Sequence, residues 1–329
     1  MSSLVRFGLI GVGRWGKVYL KTLQELSDRC RVTHLGTSHP EHAALLPYPV
    51  QTAADWRQVV ASACDAVIIA TPPQTHADIL EACLDARKPC IVEKPLCLDL
   101  PTAERLHRRV QDSDVPVLVN HTHLFSAAYL SLKRALEQAN EPIRLIVSEG
   151  GALGPFRTHT PALWDWAPHD VSLCVDIAGQ APQQISVLGG PRSPQGDPEL
   201  FAIRLDFSGG QCAWIHAGRL APRKVRRLSV FTDTALYVLD ELASEPLVVA
   251  AIDFPNRYNT GIPETLAWSS LCSSTDQSPM AALLAYFMEG LAGGDRRWFG
   301  TRLALEVTRV ISACEQLLQG GAGAFAPGA

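Results

Sequence analysis

Three short stretches of this chain contain residue types and spacings that could do chemistry. Residues 11–16 have the glycine spacing G-x-G-x-x-G, Glu93-Lys94-Pro95 ends an apolar run, and Asp165 stands four residues before His169. A glycine turn can hold phosphates, a lysine can stabilise an oxyanion, and a carboxylate beside an imidazole can help it move a proton. Together they predict nucleotide binding coupled to proton transfer.

The glycine stretch directly follows a short apolar strand and opens a helical pattern. Gly11 permits the tight turn, Gly13 lets the backbone approach a pyrophosphate, and Gly16 lets helix and strand pack closely. The helix N-terminus then offers N–H groups and partial positive charge to the phosphates. We therefore expect this loop, including Arg14 and Trp15, to bind a dinucleotide; the alternative is a bare glycine turn.

The end of the second predicted strand lacks the acidic residue that binds the ribose 2′-hydroxyl of NAD. Thr37, Ser38 and His39 occupy that place and could donate hydrogen bonds to a 2′-phosphate, with Arg14 adding charge. NADP is therefore allowed. The alternative, weighted equally, is that these residues form an ordinary turn at the end of the strand and that NAD is bound less selectively. The predicted cofactor is therefore NAD or NADP.

The Glu93-Lys94-Pro95 step lies at the carboxyl end of a predicted strand. Since a residue before proline is pushed to an extended shape, Lys94 should continue the strand direction and reach the cleft where cofactors of such sheets lie. There it could hydrogen-bond a substrate hydroxyl and stabilise developing negative charge. The alternative is that Lys94 is a solvated surface residue and that Glu93 is only its ion-pair partner.

The stretch around Asp165 and His169 is predicted to be helical from about Pro168 onward, because proline is favoured in a first helical turn. Asp165 would precede this turn and lie close to His169, fixing its tautomer and stabilising its protonated form. The alternative is that Asp165 caps a helix and His169 is a polar core residue.

Predicted strands and helices alternate around the glycine stretch and the Glu93-Lys94-Pro95 step. Short, continuously apolar segments separated by helical patterns run from Val5 to Val119, which predicts a parallel sheet covered on both faces. Ligands of such sheets lie at the carboxyl ends of the strands. Beyond about residue 122 the segments alternate between apolar and polar residues, as in antiparallel strands with one wet face. The predicted fold is α/β, with domains at 1–122 and 123–329.

Composition excludes several classes of protein. The 329 residues carry 29 Lys plus Arg against 33 Asp plus Glu, a formal charge of −4, which argues against nucleic-acid binding. No apolar stretch approaches a membrane span, and no signal peptide is expected. The nine scattered cysteines predict reduced thiols in a cytoplasm and no metal site. The basic cluster of Arg223, Lys224, Arg226 and Arg227 is interpreted as a solvated sheet edge or an oligomer contact, and the lesser alternative is recognition of a nucleotide sugar's phosphate.

These motifs together resemble the glucose–fructose oxidoreductase, inositol dehydrogenase and rhizopine-catabolism (Gfo/Idh/MocA) family. The matching pieces are the glycine loop, Ala70-Thr71-Pro72-Pro73 with His76, Lys88-Pro89 leading to Glu93-Lys94-Pro95-Leu96, and Asp165 with His169. The resemblance implies an N-terminal Rossmann domain followed by an α+β domain built on an open, mostly antiparallel sheet, which often mediates oligomerisation. We therefore expect a homodimer or homotetramer.

The resemblance also implies roles for individual residues. Lys94 aligns with the active-site lysine, His169 with the proton-transfer residue and Asp165 with its acidic partner. Thr71, His76 and Glu93 would lie along the cofactor.

Further substrate contacts are predicted less directly. The stretches 120–125 and 164–170 look like those of relatives that act on amino sugars or nucleotide-linked sugars. His121 and His123 would touch substrate or be structural residues at the domain junction. Trp164 and Trp166 would shape a sugar pocket or simply pack.

The function implied is reversible hydride transfer between NAD(P) and a hydroxyl carbon of a sugar, amino sugar, nucleotide sugar or cyclitol. One alternative is a redox-neutral enzyme that keeps NAD bound while it processes a glycoside. Another is a non-catalytic NAD(P)-binding regulatory protein, since fold alone does not fix function.

Overall fold

A computed structural model of the chain describes residues 4–156, 160–252, 266–272, 277–320 and 324–325. Its contacts divide the chain into two compact units. The first unit comprises Met1–Thr122 and Gln277–Thr308, and the second comprises His123–Asp276 and Arg309–Ala329.

The described residues form strands, helices and short 3₁₀ turns. The strands are β1 Val5–Ile10, β2 Cys30–Gly36, β3 Gln51–Ala53, β4 Ala66–Ile69, β5 Cys90–Glu93, β6 Val117–Asn120, β7 Leu145–Leu153, β8 Gln184–Gly189, β9 Leu200–Asp206, β10 Cys212–Gly218, β11 Leu220–Phe231, β12 Ala235–Asp240, β13 Leu247–Ala251, β14 Trp268–Cys272 and β15 Ala324–Phe325. The helices are α1 Arg14–Glu25, α2 Trp56–Val60, α3 His76–Asp85, α4 Leu100–Gln111, α5 Ala127–Ala139, α6 Ala162–Ala178, α7 Pro279–Leu291 and α8 Arg302–Gly320. The 3₁₀ turns are Pro40–Leu45, Pro73–Thr75, Thr122–Phe125 and Ser208–Gly210.

The first unit is built on a six-stranded sheet in the order β3-β2-β1-β4-β5-β6. All of its strand pairs are parallel. Every residue of β4, β5 and β6 is buried, as expected when helices cover both faces. Burying one large aliphatic side chain contributes about 1.5–3 kcal/mol, so these strands anchor the unit. The predicted Rossmann domain is confirmed, and its strand order places the switch point between β1 and β4.

The two units differ from the predicted domains in one segment. The division after residue 122 is the same, but 277–308 belongs to the first unit. The reason is the apolar helix α7, which packs against α1. Its Phe287 ring lies 6.2 Å from that of Phe7 and is stacked 5.5 Å from Phe299.

The second unit is built on a nine-stranded sheet in the order β14-β13-β12-β11-β7-β10-β9-β8-β15. Its pairs are antiparallel except for β7 and β10, so the predicted, mostly antiparallel sheet is confirmed. Helix α6 packs against β7 and β10. On β10, buried Ala213 and Ile215 alternate with exposed Trp214 and His216, which is the pattern of a sheet with one open face.

Helix α6 begins earlier than predicted. It starts at Ala162 after Pro161, so Asp165 lies in the first turn and Pro168 lies inside the helix. Proline inside a helix removes one backbone hydrogen bond. The extensive burial of the helix compensates for that loss, since most of its residues are inaccessible to water.

None of the helices in the described ranges is both long and apolar enough to cross a bilayer.

Candidate active site

The glycine loop follows β1 at the switch point of the first unit. Gly11 has φ +91°, and a Cβ there would lie 2.6 Å from the carbonyl oxygen of Ala70. At Gly16, a Cβ would collide with the carbonyl oxygen of Gly11. Both positions therefore require glycine, one for the turn and one for close packing of helix on strand.

Gly13 differs from these two glycines because a Cβ there would meet only open space. Gly13 precedes the first turn of α1, and within the described chain no side chain caps that helix. The N-terminus of α1 therefore has no side-chain cap, and there is open space where a side chain on residue 13 would begin. This arrangement fits the pyrophosphate of a dinucleotide. Arg14 and Trp15 are exposed on the same turn.

At the end of β2, the predicted cofactor residues form a hydrogen-bonded turn. Thr37 Oγ1 lies 2.9 Å from His42 Nδ1 and accepts a bond of 3.1 Å from the backbone N–H of His39. Ser38 is exposed beside them. Glu41 Oε1 accepts a 3.0 Å bond from His39 Nδ1. Glu41 was not among the predicted residues, and it brings a carboxylate close to the strand end that lacks one.

His76 is fully buried, and its predicted place along the cofactor stays a prediction. Its Nδ1 lies 2.8 Å from the carbonyl oxygen of Pro95, and its Nε2 lies 2.9 Å from that of Thr71. Burial lowers the pKa of His76 below its ordinary value, while the two carbonyls oppose that shift. Each ring nitrogen thus lies within hydrogen-bond distance of a backbone carbonyl, and His76 links the loop after β4 to the loop after β5.

Glu93 lies at the end of β5 and is buried, with 5% of its surface exposed. Its Oε1 accepts a 2.6 Å bond from Asn120 Nδ2, which also lies 2.7 Å from the Tyr19 hydroxyl. Burial raises the pKa of Glu93, and hydrogen bonds from Asn120 and Tyr19 and the charge of Lys94 oppose that rise. A buried carboxyl group therefore lies directly behind Lys94, which is half-buried.

In the second unit, Asp165 pairs with a buried arginine. Nη2 of Arg219 lies 3.2 Å from Asp165 Oδ2 and donates a 2.7 Å bond to the carbonyl of Thr160. Nη1 of Arg219 lies 3.5 Å from Glu199 Oε2. Arg219 is completely buried, so this guanidinium fixes the orientation of Asp165. The sequence contained no signal for this pair, because its members lie 54 residues apart.

His169 lies one helical turn after Asp165 on α6, and such i, i+4 residues share a helix face. Its ring contacts that of His123 edge-to-face, with centroids 4.7 Å apart and planes at 84°. His123 Nδ1 in turn donates a 2.6 Å bond to Glu241 Oε1. The predicted contact of His123 with substrate, and its alternative as a structural residue, both stay predictions. The predicted partnership of Asp165 and His169 stays a prediction.

Asp170 follows His169 and is buried. Its Oδ1 accepts a 2.6 Å bond from the Ser148 hydroxyl. Burial raises the pKa of Asp170, while the charge of Arg226 and the Ser148 bond lower it. A Cβ on Gly150 would collide with Asp170 and lie 2.7 Å from Arg226 Nη1, so Gly150 makes room for both.

Arg226 also covers the ring of Trp166, with its guanidinium carbon 4.5 Å from the ring centroid. Its Nη1 is buried, so this arginine departs from the solvated edge predicted for the basic cluster. Trp166 is half-buried beneath it.

Two predicted substrate residues lie inside their units. Trp164 is 2% exposed and donates a 3.1 Å bond to Glu315, so it packs in the second unit. His121 is 6% exposed at the end of β6 in the first unit. These positions agree with the alternatives of packing for Trp164 and of a structural role for His121, and contact of either residue with substrate stays a prediction.

A small recess with a volume of about 20 Å³ lies in the second unit beside His169, His123, Asp170, Arg226 and Glu241. It combines acidic, basic and imidazole groups, which suits recognition of hydroxyl groups that both donate and accept hydrogen bonds. The described residues contain no cluster of three or more His, Cys, Asp and Glu that could hold a metal ion. That Lys94 and His169 meet at one nicotinamide ring stays a prediction.

Comparison with known proteins adds a family match. Residues 5–121 match the GFO_IDH_MocA family, described as "Oxidoreductase family, NAD-binding Rossmann fold". A crystal structure of a protein from Magnetospirillum magnetotacticum MS-1, described as an oxidoreductase, is 35% identical, has a TM-score of 0.83, and is matched over 95% of this chain and 100% of its own.

Two relatives carry names of specific activities. Inositol 2-dehydrogenase of Mycolicibacterium gilvum is 28% identical over 214 residues, which is 61% of this chain and 61% of that protein. The chain therefore matches about three fifths of that relative's length. UDP-N-acetylglucosamine 3-dehydrogenase from Acidithiobacillus ferrooxidans has a TM-score of 0.80 over 96% of both chains, but at 20% identity this likeness shows the fold alone.

Proposed function

Because the chain belongs to the Gfo/Idh/MocA oxidoreductase family and has an NAD-binding Rossmann fold, we propose that it is an NAD(P)-dependent dehydrogenase of CH–OH groups. Its substrate is a cyclitol or a sugar, including amino sugars and nucleotide sugars. The names of relatives that act on inositol and on UDP-N-acetylglucosamine support this substrate class. The observation that carries the proposal is the turn of α6 with Asp165 and His169 on one face.

The first unit binds the cofactor in this proposal. The pyrophosphate lies over Gly13 at the N-terminus of α1, where N–H groups and the helix dipole favour negative charge. The cofactor, when bound, supplies the hydride-accepting carbon. Glu41, His39 and Thr37 lie where the adenosine ribose of NAD or NADP would be recognised. His76 holds the loops that carry Thr71 and Lys94.

Lys94 and His169 handle the substrate hydroxyl. Lys94 donates a hydrogen bond to that oxygen and stabilises the negative charge that develops on it. His169 accepts the hydroxyl proton as general base. Asp165, held by Arg219, stabilises the imidazolium that results.

A homodimer or homotetramer and a cytoplasmic location complete the proposal. The exposed apolar side chains Trp214 and Leu188 on strands of the nine-stranded sheet support self-association through that surface. Light scattering would then give a mass of two or four chains. The buried free cysteines support a reducing compartment.

The test is cofactor reduction by the purified chain, followed by absorbance, with NAD and NADP side by side. Cyclitols, free sugars and nucleotide sugars serve as substrates. We expect reduction with at least one polyol, and we expect Lys94→Ala and His169→Ala each to lower kcat by at least about 100-fold.

Lys21→Ala, on the exposed face of α1, is the matched control and should keep the parental kcat. Near-normal turnover in both site variants would defeat the assigned roles. Product formed without net change in cofactor absorbance would point instead to the redox-neutral alternative.

A further inference from the structure

Two charged side chains of the second unit each keep one buried polar atom without a hydrogen-bond partner among the residues that the structure describes. These atoms are Oδ2 of Asp170, in α6, and Nη1 of Arg226, in β11. A carboxylate oxygen accepts hydrogen bonds, and a guanidinium nitrogen donates them. Because buried polar groups are nearly always hydrogen-bonded, this pair of atoms indicates a ligand that supplies both missing bonds.

The remainder of each side chain is held by the fold. Asp170 is 3% exposed, and its Oδ1 accepts a 2.6 Å bond from the Ser148 hydroxyl. The guanidinium carbon of Arg226 lies 4.5 Å from the centroid of the Trp166 ring. Both charged groups are therefore oriented before any ligand arrives, which lowers the entropy that binding costs.

The acceptor and the donor lie next to each other, on Gly150 of β7. A Cβ on this glycine would collide with Asp170 Oδ2 and would lie 2.7 Å from Arg226 Nη1. Although the two atoms are neighbours, they do not hydrogen-bond to each other. One oxygen atom can bridge such a pair, since two hydrogen bonds of about 2.8 Å that meet at a tetrahedral angle join atoms about 4.6 Å apart.

The recess beside these side chains sets the size of the ligand group. Its volume is about 20 Å³, and Asp170, Arg226 and His169 are among its lining residues. Since about 10–15 Å³ is enough for one water-sized group, the recess admits a hydroxyl group but not the ring that carries it. Arg227 also lines the recess and is 44% exposed, so the recess lies close to solvent.

The charges around the recess select among possible ligand groups. A phosphate or carboxylate would meet the carboxylates of Glu149, Asp170 and Glu241, and when ionised it has no proton to donate to Asp170. An ammonium group has no lone pair to accept a bond from Arg226. A hydroxyl group is neutral and both donates and accepts, so it matches the two atoms.

We propose that Asp170 and Arg226 together bind a second hydroxyl group of the substrate, one that is not oxidised. This hydroxyl accepts a hydrogen bond from Arg226 Nη1 and donates one to Asp170 Oδ2. Because His169 lines the same recess, the second hydroxyl lies on a carbon close to the oxidised one. The pair therefore selects polyols over alcohols with a single hydroxyl. This inference rests on the proposed function, whose substrate it restricts.

Two substitutions test the two bonds by kinetics, with myo-inositol, scyllo-inositol and D-glucose as probes. Asp170→Asn can keep the Ser148 bond but replaces the second acceptor by a donor, and Arg226→Met removes the donor but keeps an aliphatic chain on Trp166. For each variant we expect KM for the oxidised probe to rise at least about 10-fold, because a hydrogen bond to a charged group is lost. The value of kcat should change far less.

Arg204→Met, on the exposed side of β9, is the matched control and should keep the parental KM. Circular dichroism shows whether each variant folds, and Arg226→Met gives the same test at a half-buried position if Asp170→Asn does not fold. A parental KM in the folded variants would overturn the proposal. So would a loss of kcat at unchanged KM, since the residues would then act on the reacting hydroxyl or on the structure alone.

Crystal structures of the unmodified protein, with and without each of the three probes, separate this inference from the proposed function. We expect a hydroxyl oxygen of the probe within about 3.2 Å of both Asp170 Oδ2 and Arg226 Nη1. A water molecule that stays there beside a bound probe would overturn the proposal, as would a direct bond between the two side chains or no probe at this place. The expected contact, found in a protein that reduces no cofactor with any polyol, would uphold the hydroxyl site and defeat the proposed function.

Discussion

The candidate residues of the two units are held in different ways. In the first unit, the glycine loop and His76 contact backbone atoms: Gly11 lies against Ala70, and His76 against the carbonyls of Thr71 and Pro95. In the second unit, Asp165 and His123 contact side chains, those of Arg219 and Glu241. The glycine loop and His76 are therefore held by backbone contacts, whereas Asp165 and His123 are held by charged side chains.

This difference explains why the glycine loop forms a short sequence motif, whereas the contacts of Asp165 and His123 do not. A backbone contact needs particular residues only at the turn itself, so Gly11, Gly13 and Gly16 fall within six residues. An ion pair needs a partner anywhere in the fold. Arg219 lies 54 residues from Asp165, and Glu241 lies 118 residues from His123. Such partners therefore cannot be predicted from the spacing of residues along the sequence.

The largest expected effect is on the ion pairs of the second unit. Arg219→Met should lower the free energy of unfolding by about 3–5 kcal/mol, because it leaves the carboxylates of Asp165 and Glu199 buried without their cation. Chemical denaturation of the purified variant measures this loss.

Arg227→Met is the matched control, since Arg227 lies in the same sheet and pairs with Asp240 but is 44% exposed. It should cost no more than about 1 kcal/mol. Equal stability of the two variants would mean that Arg219 is not what holds Asp165, and the comparison between the units would fail.

The second prediction tests the glycine loop of the first unit, at Gly13. Gly13→Val should bind NAD and NADP at least about 100-fold more weakly, a loss of roughly 2.7 kcal/mol, because the new side chain fills the space over the α1 N-terminus. Its thermal stability should stay near the parental value, since a Cβ there contacts no other group. Isothermal titration calorimetry and thermal unfolding give the two readouts.

Gly320→Val at the end of α8 is the control, because a Cβ there also meets only open space. It should bind the cofactor as the parent does. Unchanged affinity in Gly13→Val would place the pyrophosphate elsewhere and remove the cofactor site from the glycine loop.

Much of the fold was predictable because burial leaves a periodic pattern. Continuous apolar runs predicted β1, β4 and β5, and alternating residues predicted β9 and β10. Helix α7 was missed because it is apolar on nearly every side, so it has no amphipathic stripe to recognise. Strand β3 was missed because its three residues are polar or small and none is buried.

The site was predictable in part for the same reason. Lys94 and the glycine loop were expected at strand ends, and that is where they lie. The start of α6 was misplaced because Pro168 looked like a first-turn proline, whereas tertiary packing carries the helix through it. The contacts of the His76 ring with the carbonyls of Thr71 and Pro95 could not be predicted, because nothing in the sequence shows that these carbonyls face it.

The smallest expected effect compares a buried glutamate from each unit. The pKa of Glu93 is raised by burial, whereas that of Glu241 is lowered through its bond to His123. Glu93 therefore contributes stability below its ordinary pKa of 4.5, and that stability is lost as pH rises through its folded value. Glu241 contributes stability above 4.5, which is lost as pH falls through its folded value.

The two glutamine variants should therefore respond to pH in opposite ways. Glu93→Gln keeps an acceptor for Asn120 without the buried charge, so it should gain about 1 kcal/mol over the parent at neutral pH and nothing in acid. Glu241→Gln should lose about 1.5 kcal/mol at neutral pH, where it replaces a charged hydrogen-bond acceptor by a neutral one, and should match the parent in acid. Denaturation of all three proteins across this pH range is the measurement. Parallel curves for the two variants would contradict the opposite pKa shifts of Glu93 and Glu241.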